Sequence, residues 1–128
     1  MASKGRPYRT VNFGGFEILI GKGSEENDEL SLRVAEKGDT WLHVGGGTPG
    51  SHVVIRNPDG VAIPRDVLEA AAAFAAWYSK SRAARTVEVH YCLAANVSKP
   101  RGAPAGLVEI TKWKAIKVAP KAPETASE

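Results

Sequence analysis

The sequence contains little cysteine and no long apolar run. Cys92 is the only cysteine among 128 residues, which excludes an internal disulfide framework and a zinc site built from several thiolates. No stretch of 18 or more apolar residues is present, so the sequence predicts no membrane-spanning helix. Residues 1–7 carry charges without an apolar core behind them, which is unlike a secretory signal. We therefore expect a cytoplasmic protein that is stabilised by core burial.

One ordinary domain accounts for the length and composition of the chain. The sequence is 43% hydrophobic and 24% charged, and domains most often contain about 100–150 residues. We expect an N-terminal arm over residues 1–12, a folded domain over residues 13–119 and a disordered tail over residues 120–128.

Hydrophobic patterning predicts several strands and two helices of unequal length. A short helix is indicated around Leu30 and Val34, and a long alanine-rich helix from about residue 64 to residue 84. Because strands and helices do not alternate regularly, the pattern favours an α+β fold with a mostly antiparallel sheet. Strand patterns fall at residues 16–20, 41–44, 51–56, 86–93, 107–110 and 115–118.

Charge is distributed unevenly along the chain. Residues 10–78 hold five basic and ten acidic residues, a net charge of −5. Residues 79–123 hold nine basic and two acidic residues, a net charge of +7. This asymmetry predicts a positive face that attracts polyanions, with an ordinary solvated surface as the alternative.

Two glycine-rich turns are candidate anion sites. Residues 45–50 nearly match a phosphate-binding loop, but Ser51 stands where the lysine is required and a strand follows instead of a helix. We therefore exclude a nucleotide triphosphatase and keep two alternatives: a flexible hairpin turn, or a turn whose exposed amides bind a phosphate or allow close approach of a partner's backbone. Residues 21–23 open a helix whose first turn is acidic and would repel phosphate. Asn27 and Asp28 are predicted to cap that helix, with hydrogen bonding to a base or ribose as the alternative.

Catalytic and metal-binding patterns are weak. The candidate metal ligands are His43, His52, His90 and Cys92, which lack the spacing of known metal motifs. Ser51 and His52 are neighbours on a strand and point to opposite faces, so they do not form a nucleophile and its base. We expect no metal, no cofactor and no catalytic residue. An RNA-processing enzyme that uses His43, His52 or Asp39 as acid and base is the least favoured hypothesis.

Trp113 lies between two lysines, Lys112 and Lys114. An aromatic ring between two lysines suits stacking on unpaired nucleobases beside phosphate contacts. Packing in the core is the alternative, and the sequence does not separate the two.

Three motifs occur in succession: Asn-Asp-Glu-Leu at residues 27–30, Asp-Thr-Trp-Leu-His at 39–43 and Pro-Gly-Ser-His-Val-Val-Ile at 49–55. With Val-Ser-Lys-Pro at residues 97–100, this order resembles the NFACT-R family across roughly residues 7–120. The resemblance implies an RNA-binding domain, which in the family usually stands at the C-terminal end of large ribosome-quality-control proteins. It implies RNA contacts at Trp41, His43, Ser51, His52 and Lys99, with Asn27 and Asp28 in addition.

Together these features predict a module that binds structured RNA, either tRNA or rRNA, in translation or ribosome-associated quality control. Trp113 would stack on bases, and phosphate contacts are expected from Lys99, Arg101, Lys112, Arg56 and Arg82. The alternative is a protein-interaction module that docks on a ribosomal or RNA-modification partner through the glycine hairpin and Trp41.

Overall fold

The structure is a computed structural model, and it describes residues 8–123. Six strands form one sheet in the order β1-β2-β4-β3-β5-β8, and every neighbouring pair is antiparallel. A second, two-stranded sheet pairs β6 with β7. The strands are β1 Tyr8–Phe13, β2 Phe16–Gly21, β3 Thr40–Val44, β4 Val53–Ile55, β5 Val87–Leu93, β6 Val97–Ser98, β7 Glu109–Ile110 and β8 Lys114–Val118.

Two helices accompany the sheet, which confirms the predicted α+β class. Helix α1, Ser24–Glu29, continues into a π-helical turn over Leu30–Val34. Helix α2, Arg65–Trp77, is the longer one, and a short 3-10 turn covers Ala94–Asn96. Among the described residues, no helix is long and apolar enough to cross a membrane.

Helix α2 packs across one face of the sheet and forms the main core. Its alanines, including the fully buried Ala71 and Ala75, let the helix approach the strands closely. Each fully buried aliphatic side chain on the strands contributes about 1.5–3 kcal/mol relative to leaving it in water. The strand side chains in this core include Ile18, Ile20, Leu42, Val53, Ile55 and Val89.

A smaller apolar cluster covers part of the opposite face. Leu30 in the π-helical turn packs with Leu19, Trp41, Val54 and Cys92, whose side chains point away from α2. This cluster covers only part of its face, and the rest, where β3 and β5 carry histidines, borders the open cavity described below.

The N-terminal strand begins earlier than the predicted domain boundary. Tyr8–Phe13 pairs with β2 along its whole length, so residues 8–12 belong to the sheet and are not a loosely held arm. Strands β1 and β2 are connected by Gly14 and Gly15, whose φ angles are 59° and 85°. Positive φ at both central positions is the geometry of a two-residue hairpin turn, which glycine adopts without steric cost. Residues 1–7 of the expected arm and residues 124–128 of the expected tail lie outside the described residues.

Helix α2 ends at Trp77, whereas the alanine-rich pattern predicts helix as far as Ala84. Tyr78 leaves the helical conformation with φ −92° and ψ 41°. Its carbonyl accepts a hydrogen bond from the backbone N–H of Ser51 at 2.9 Å. The glycine-rich loop before β4 therefore occupies the Tyr78 carbonyl, which would accept an intrahelical hydrogen bond if the helix continued.

Candidate functional site

Three histidines line a cavity on the face of the sheet opposite α2. His43 on β3 and His90 on β5 are cross-strand partners, and the rings of His43 and His52 lie 5.1 Å apart. We call this cavity the histidine groove; its volume is about 570 Å³. Its walls are the glycine loop of residues 45–50, the start of α1 with Asn27, and the loop of residues 104–108.

Asn27 holds the end of the glycine loop in place. Its Nδ2 donates to the carbonyl of Gly50 at 3.2 Å, and its Oδ1 accepts from the backbone N–H of His52 at 3.1 Å. The Asn27 side chain is buried and lies against Gly21, where a Cβ would come within 2.0 Å of Oδ1. Ser51 adds a hydrogen bond from its hydroxyl to the Gly21 carbonyl at 2.8 Å. Asn27 therefore shapes the groove. It does not cap the helix, although the sequence predicts that role.

His52 is buried and hydrogen-bonded to a buried serine. Ser31 Oγ accepts a hydrogen bond from Trp41 Nε1 at 2.8 Å and lies 2.7 Å from His52 Nδ1. A serine hydroxyl can both donate and accept, so Ser31 bridges the indole of Trp41 and the imidazole of His52. Burial, the largest cause, lowers the pKa of His52 to about 4. His52 is therefore uncharged at neutral pH.

Trp41 supports the floor of the groove from below. It is 2% exposed, and its ring meets His52 edge to face at 5.1 Å and His43 at 6.0 Å. Burial also lowers the pKa of His43 below its usual value. The groove floor therefore offers the uncharged imidazole of His43 for hydrogen bonding, while the buried Trp41, one of the expected contact residues, has no free face on which a base could stack.

Lys99 and Asp28 fix the wall formed by residues 104–107. Lys99 Nζ donates to Asp28 Oδ2 at 2.9 Å, to the Leu107 carbonyl at 3.0 Å and to the Pro104 carbonyl. Asp28 Oδ1 accepts from the backbone N–H of Gly106 at 3.1 Å. An ammonium group has three donors, and all three are used inside the protein. Lys99 is thus an internal anchor here, which differs from the phosphate contact expected from the sequence.

Arg56 also has a structural partner. Its Nε lies 3.0 Å from Oδ2 of Asp39, a carboxylate that is 1% exposed. Asp39 further accepts backbone N–H groups from Glu36 at 2.9 Å and Asn57 at 2.7 Å. Arg56 follows the end of β4 that is opposite His52, so this pair lies away from the histidine groove. Neither the expected phosphate contact at Arg56 nor an acid–base role for Asp39 is supported by this placement.

The remaining predicted side chains stand on exposed surface. Arg82 lies over the Trp77 ring at 4.4 Å, on a turn of residues 79–86. Arg101 is exposed on the loop that Lys99 anchors, and Lys112 is exposed beside Trp113. Eight of the twelve expected contacts therefore divide into internal supports and exposed cations. The internal supports are Asn27, Asp28, Trp41, Arg56 and Lys99, and the exposed cations are Arg82, Arg101 and Lys112.

Cys92 and the histidines do not form a metal centre. Burial raises the pKa of Cys92 to about 11, so its thiol stays protonated and packs as a small apolar group. Within residues 8–123, no group of three or more His, Cys, Asp or Glu side chains is arranged to hold a metal ion.

These features define an α+β domain with a groove lined by histidines and with exposed cations on adjoining loops. The family model described as "NFACT protein RNA binding domain" matches residues 6–112, and the chain belongs to this family. The resemblance found in the sequence motifs is thereby confirmed.

Similar proteins share this domain within longer chains. A protein described as "Rqc2 homolog RqcH" from Bacillus subtilis is 39% identical over 126 residues, covering 93% of this chain and 21% of that protein. The Streptococcus suis protein of the same description is 39% identical over 103 residues, covering 80% of this chain and 18% of that protein. This chain therefore spans about a fifth of the length of the curated relatives it matches.

A solved structure has the same fold. It is the C-terminal part of the fibronectin/fibrinogen-binding protein from Streptococcus suis, with a TM-score of 0.82 and 36% sequence identity. The match covers 92% of this chain and 47% of that one.

Proposed function

We propose that this domain binds structured RNA, tRNA or rRNA, as a non-enzymatic module of cytoplasmic translation or ribosome-associated quality control. The observation that carries the proposal is the histidine groove, with exposed Arg82 and Arg101 on loops that adjoin its walls, in a chain of the NFACT RNA binding domain family. Relatives described as Rqc2 homologs support the link to ribosome quality control.

The two parts of the surface suit two parts of an RNA ligand. Free cations such as Arg82, Arg101 and Lys112 neutralise phosphates, which supplies affinity with little sequence preference. The uncharged, partly exposed imidazole of His43 can both donate and accept hydrogen bonds, so it suits 2′-hydroxyl groups and base edges, and the buried His52 supports it from within.

The hydrogen bonds of the groove support binding more than catalysis. His52 Nδ1 already pairs with Ser31, and Asp39 is occupied by Arg56 and backbone groups. The acid–base candidates were His43, His52 and Asp39. Among residues 8–123, neither histidine has a hydrogen bond to a carboxylate. A nucleophile activated by a nearby base would need such an arrangement.

Salt-dependent binding tests the proposal. Filter binding of a tRNA pool and of rRNA fragments is measured at several salt concentrations. If about four phosphates are contacted, the slope of log affinity against log salt is roughly −3 for single strands, at about −0.7 per phosphate. Affinity that does not change with salt would contradict RNA binding. Partners that persist after nuclease treatment in a pull-down, without any salt-dependent RNA affinity, would favour the protein-docking alternative.

A further inference from the structure

Trp113 is an exposed aromatic ring with a fixed orientation. It is 46% exposed, yet one face stacks on His90 with ring centroids 4.0 Å apart and an angle of 22° between the planes. The preceding Lys112 has φ of 52°, a left-handed conformation that residues other than glycine rarely adopt. Such a conformation persists only where its surroundings maintain it, and it is frequent at ligand sites. The turn thereby holds the indole over the sheet.

His90 gives this ring a rigid support. Its Nε2 lies 2.9 Å from Glu88 Oε2. On another side the backbone of Gly45 lies so close that a Cβ there would be 2.5 Å from His90 Nε2. The imidazole is therefore confined between β5, the glycine loop and Trp113. Trp113 loses little conformational freedom when a ligand stacks on it, because its position is already set.

A hollow of about 400 Å³ extends beside the two rings. Gly45, Gly46 and His90 border both this hollow and the histidine groove, so the two cavities adjoin. Small side chains at Ser81 and Ala84 form the facing wall and leave space beside the indole. We call this space, bordered by Trp113, His90, Gly45, Gly46 and the turn of residues 81–86, the tryptophan hollow.

Exposed cations lie on one side of the tryptophan hollow. Arg82 and Arg85 are exposed on the turn that forms one wall, whereas Lys112 and Lys114, the sequence neighbours of Trp113, line a different cavity. Glu88, the acidic residue that lines the hollow, is paired with His90. A planar, uncharged ring on Trp113 would therefore have Arg82 and Arg85 nearby for an adjoining phosphate.

We propose that the tryptophan hollow binds one unpaired nucleobase, so that the RNA ligand presents a single-stranded or looped-out nucleotide here and not a continuous duplex. The proposal rests on the RNA-binding function proposed above. In a duplex each base is stacked on its neighbours, and unpaired bases are the ones that stack on aromatic side chains. The adjoining histidine groove would then receive the neighbouring ribose or base.

Binding to matched RNA forms tests this proposal. A short single-stranded RNA and the same strand annealed to its complement are titrated against the whole chain at one salt concentration. We expect tighter binding of the single strand. Trp113→Ala should weaken that binding about 5- to 150-fold, the range for loss of one base–aromatic stack. The slope of log affinity against log salt should stay unchanged, and Trp113→Phe should retain most of the affinity.

Two controls separate the possible failures. Val61 is 50% exposed on a loop remote from the hollow, and Val61→Ala should bind like the wild type. Gly45→Ala, which displaces His90, should lower single-strand affinity like Trp113→Ala while circular dichroism confirms the fold. Equal binding of both RNA forms, or wild-type affinity in Trp113→Ala, would overturn the base-binding proposal alone. Absence of salt-dependent binding to any RNA would overturn the proposed function itself.

Discussion

Replacing Lys99 tests whether its ammonium anchors the loop that forms one wall of the histidine groove. Replacement by Met keeps the aliphatic stem and removes the ammonium that holds Asp28 and two carbonyls of residues 104–107. The side chains of Lys99 and Asp28 are 27% and 21% exposed, so solvent only partly replaces the lost partner. A hydrogen bond to a charged group contributes about 1.5–3 kcal/mol. We expect Lys99→Met to lower the free energy of unfolding by about 2 kcal/mol.

Urea denaturation measures this loss directly. With a slope of about 1–3 kcal/mol per molar urea for a small protein, the midpoint should fall by about 1 M. Arg101→Met is the matched control, because Arg101 is exposed on the same loop and should leave the midpoint unchanged.

RNA binding by the same two variants separates anchoring from phosphate contact. Since the Lys99 ammonium is used internally, Lys99→Met should leave the slope of log affinity against log salt unchanged. Arg101→Met should make that slope less negative by about 0.7, the contribution of one phosphate on a single strand. If Lys99→Met instead keeps the wild-type stability and flattens the slope, Lys99 contacts RNA and the anchor interpretation is wrong.

Three further predictions concern the buried network behind the groove. Asn27→Ala should lower the free energy of unfolding by about 2–3 kcal/mol, because the N–H of His52 and the carbonyl of Gly50 lose their partner. Wild-type stability in urea would show that Asn27 does not hold the glycine loop in place. Ser31→Ala should cost about 1–3 kcal/mol, because Trp41 Nε1 and His52 Nδ1 are both left unpaired, and an unchanged urea midpoint would disprove this. The pKa of His52 is about 4 in the folded chain against 6.5 for the free side chain. The unfolded chain therefore binds the proton more readily, and stability falls as pH falls from 6.5 to 4, by up to about 3 kcal/mol. His52→Gln should show a weaker decline than the wild type in urea titrations over this range, and an identical decline would refute the linkage.

The class of fold was accessible from local patterns. Apolar residues alternate with polar ones in β5 and run continuously in β2. Both patterns predict strands, because successive side chains of a strand point to opposite faces of the sheet. The alanine-rich helix was predicted because its apolar spacing repeats over several turns. The turn at Gly14 and Gly15 was also predictable from the sequence, since two glycines between apolar residues favour a two-residue hairpin turn.

Site residues were predicted less well than the fold, and for a physical reason. A lysine in a glycine- and proline-rich loop has the same local sequence whether it faces phosphate or its own protein. Only the approach of α1 brings Asp28 to Lys99. His90 was considered only as a metal ligand, and its role beneath Trp113 requires the pairing of β5 with β3 and the close approach of Gly45.

The amino-acid sequence alone determined the α+β class, the family and the uneven charge along the chain, because these depend on residue order and on contacts between near neighbours. The tertiary structure decided which polar groups are free. Long-range pairing buries Asn27, His52 and Asp39 and occupies Lys99 and Arg56, while it leaves Trp113 and the cations beside it exposed. A side chain can bind a ligand only with donors and surface that folding has not already used, and that remainder is set by contacts between residues far apart in the chain.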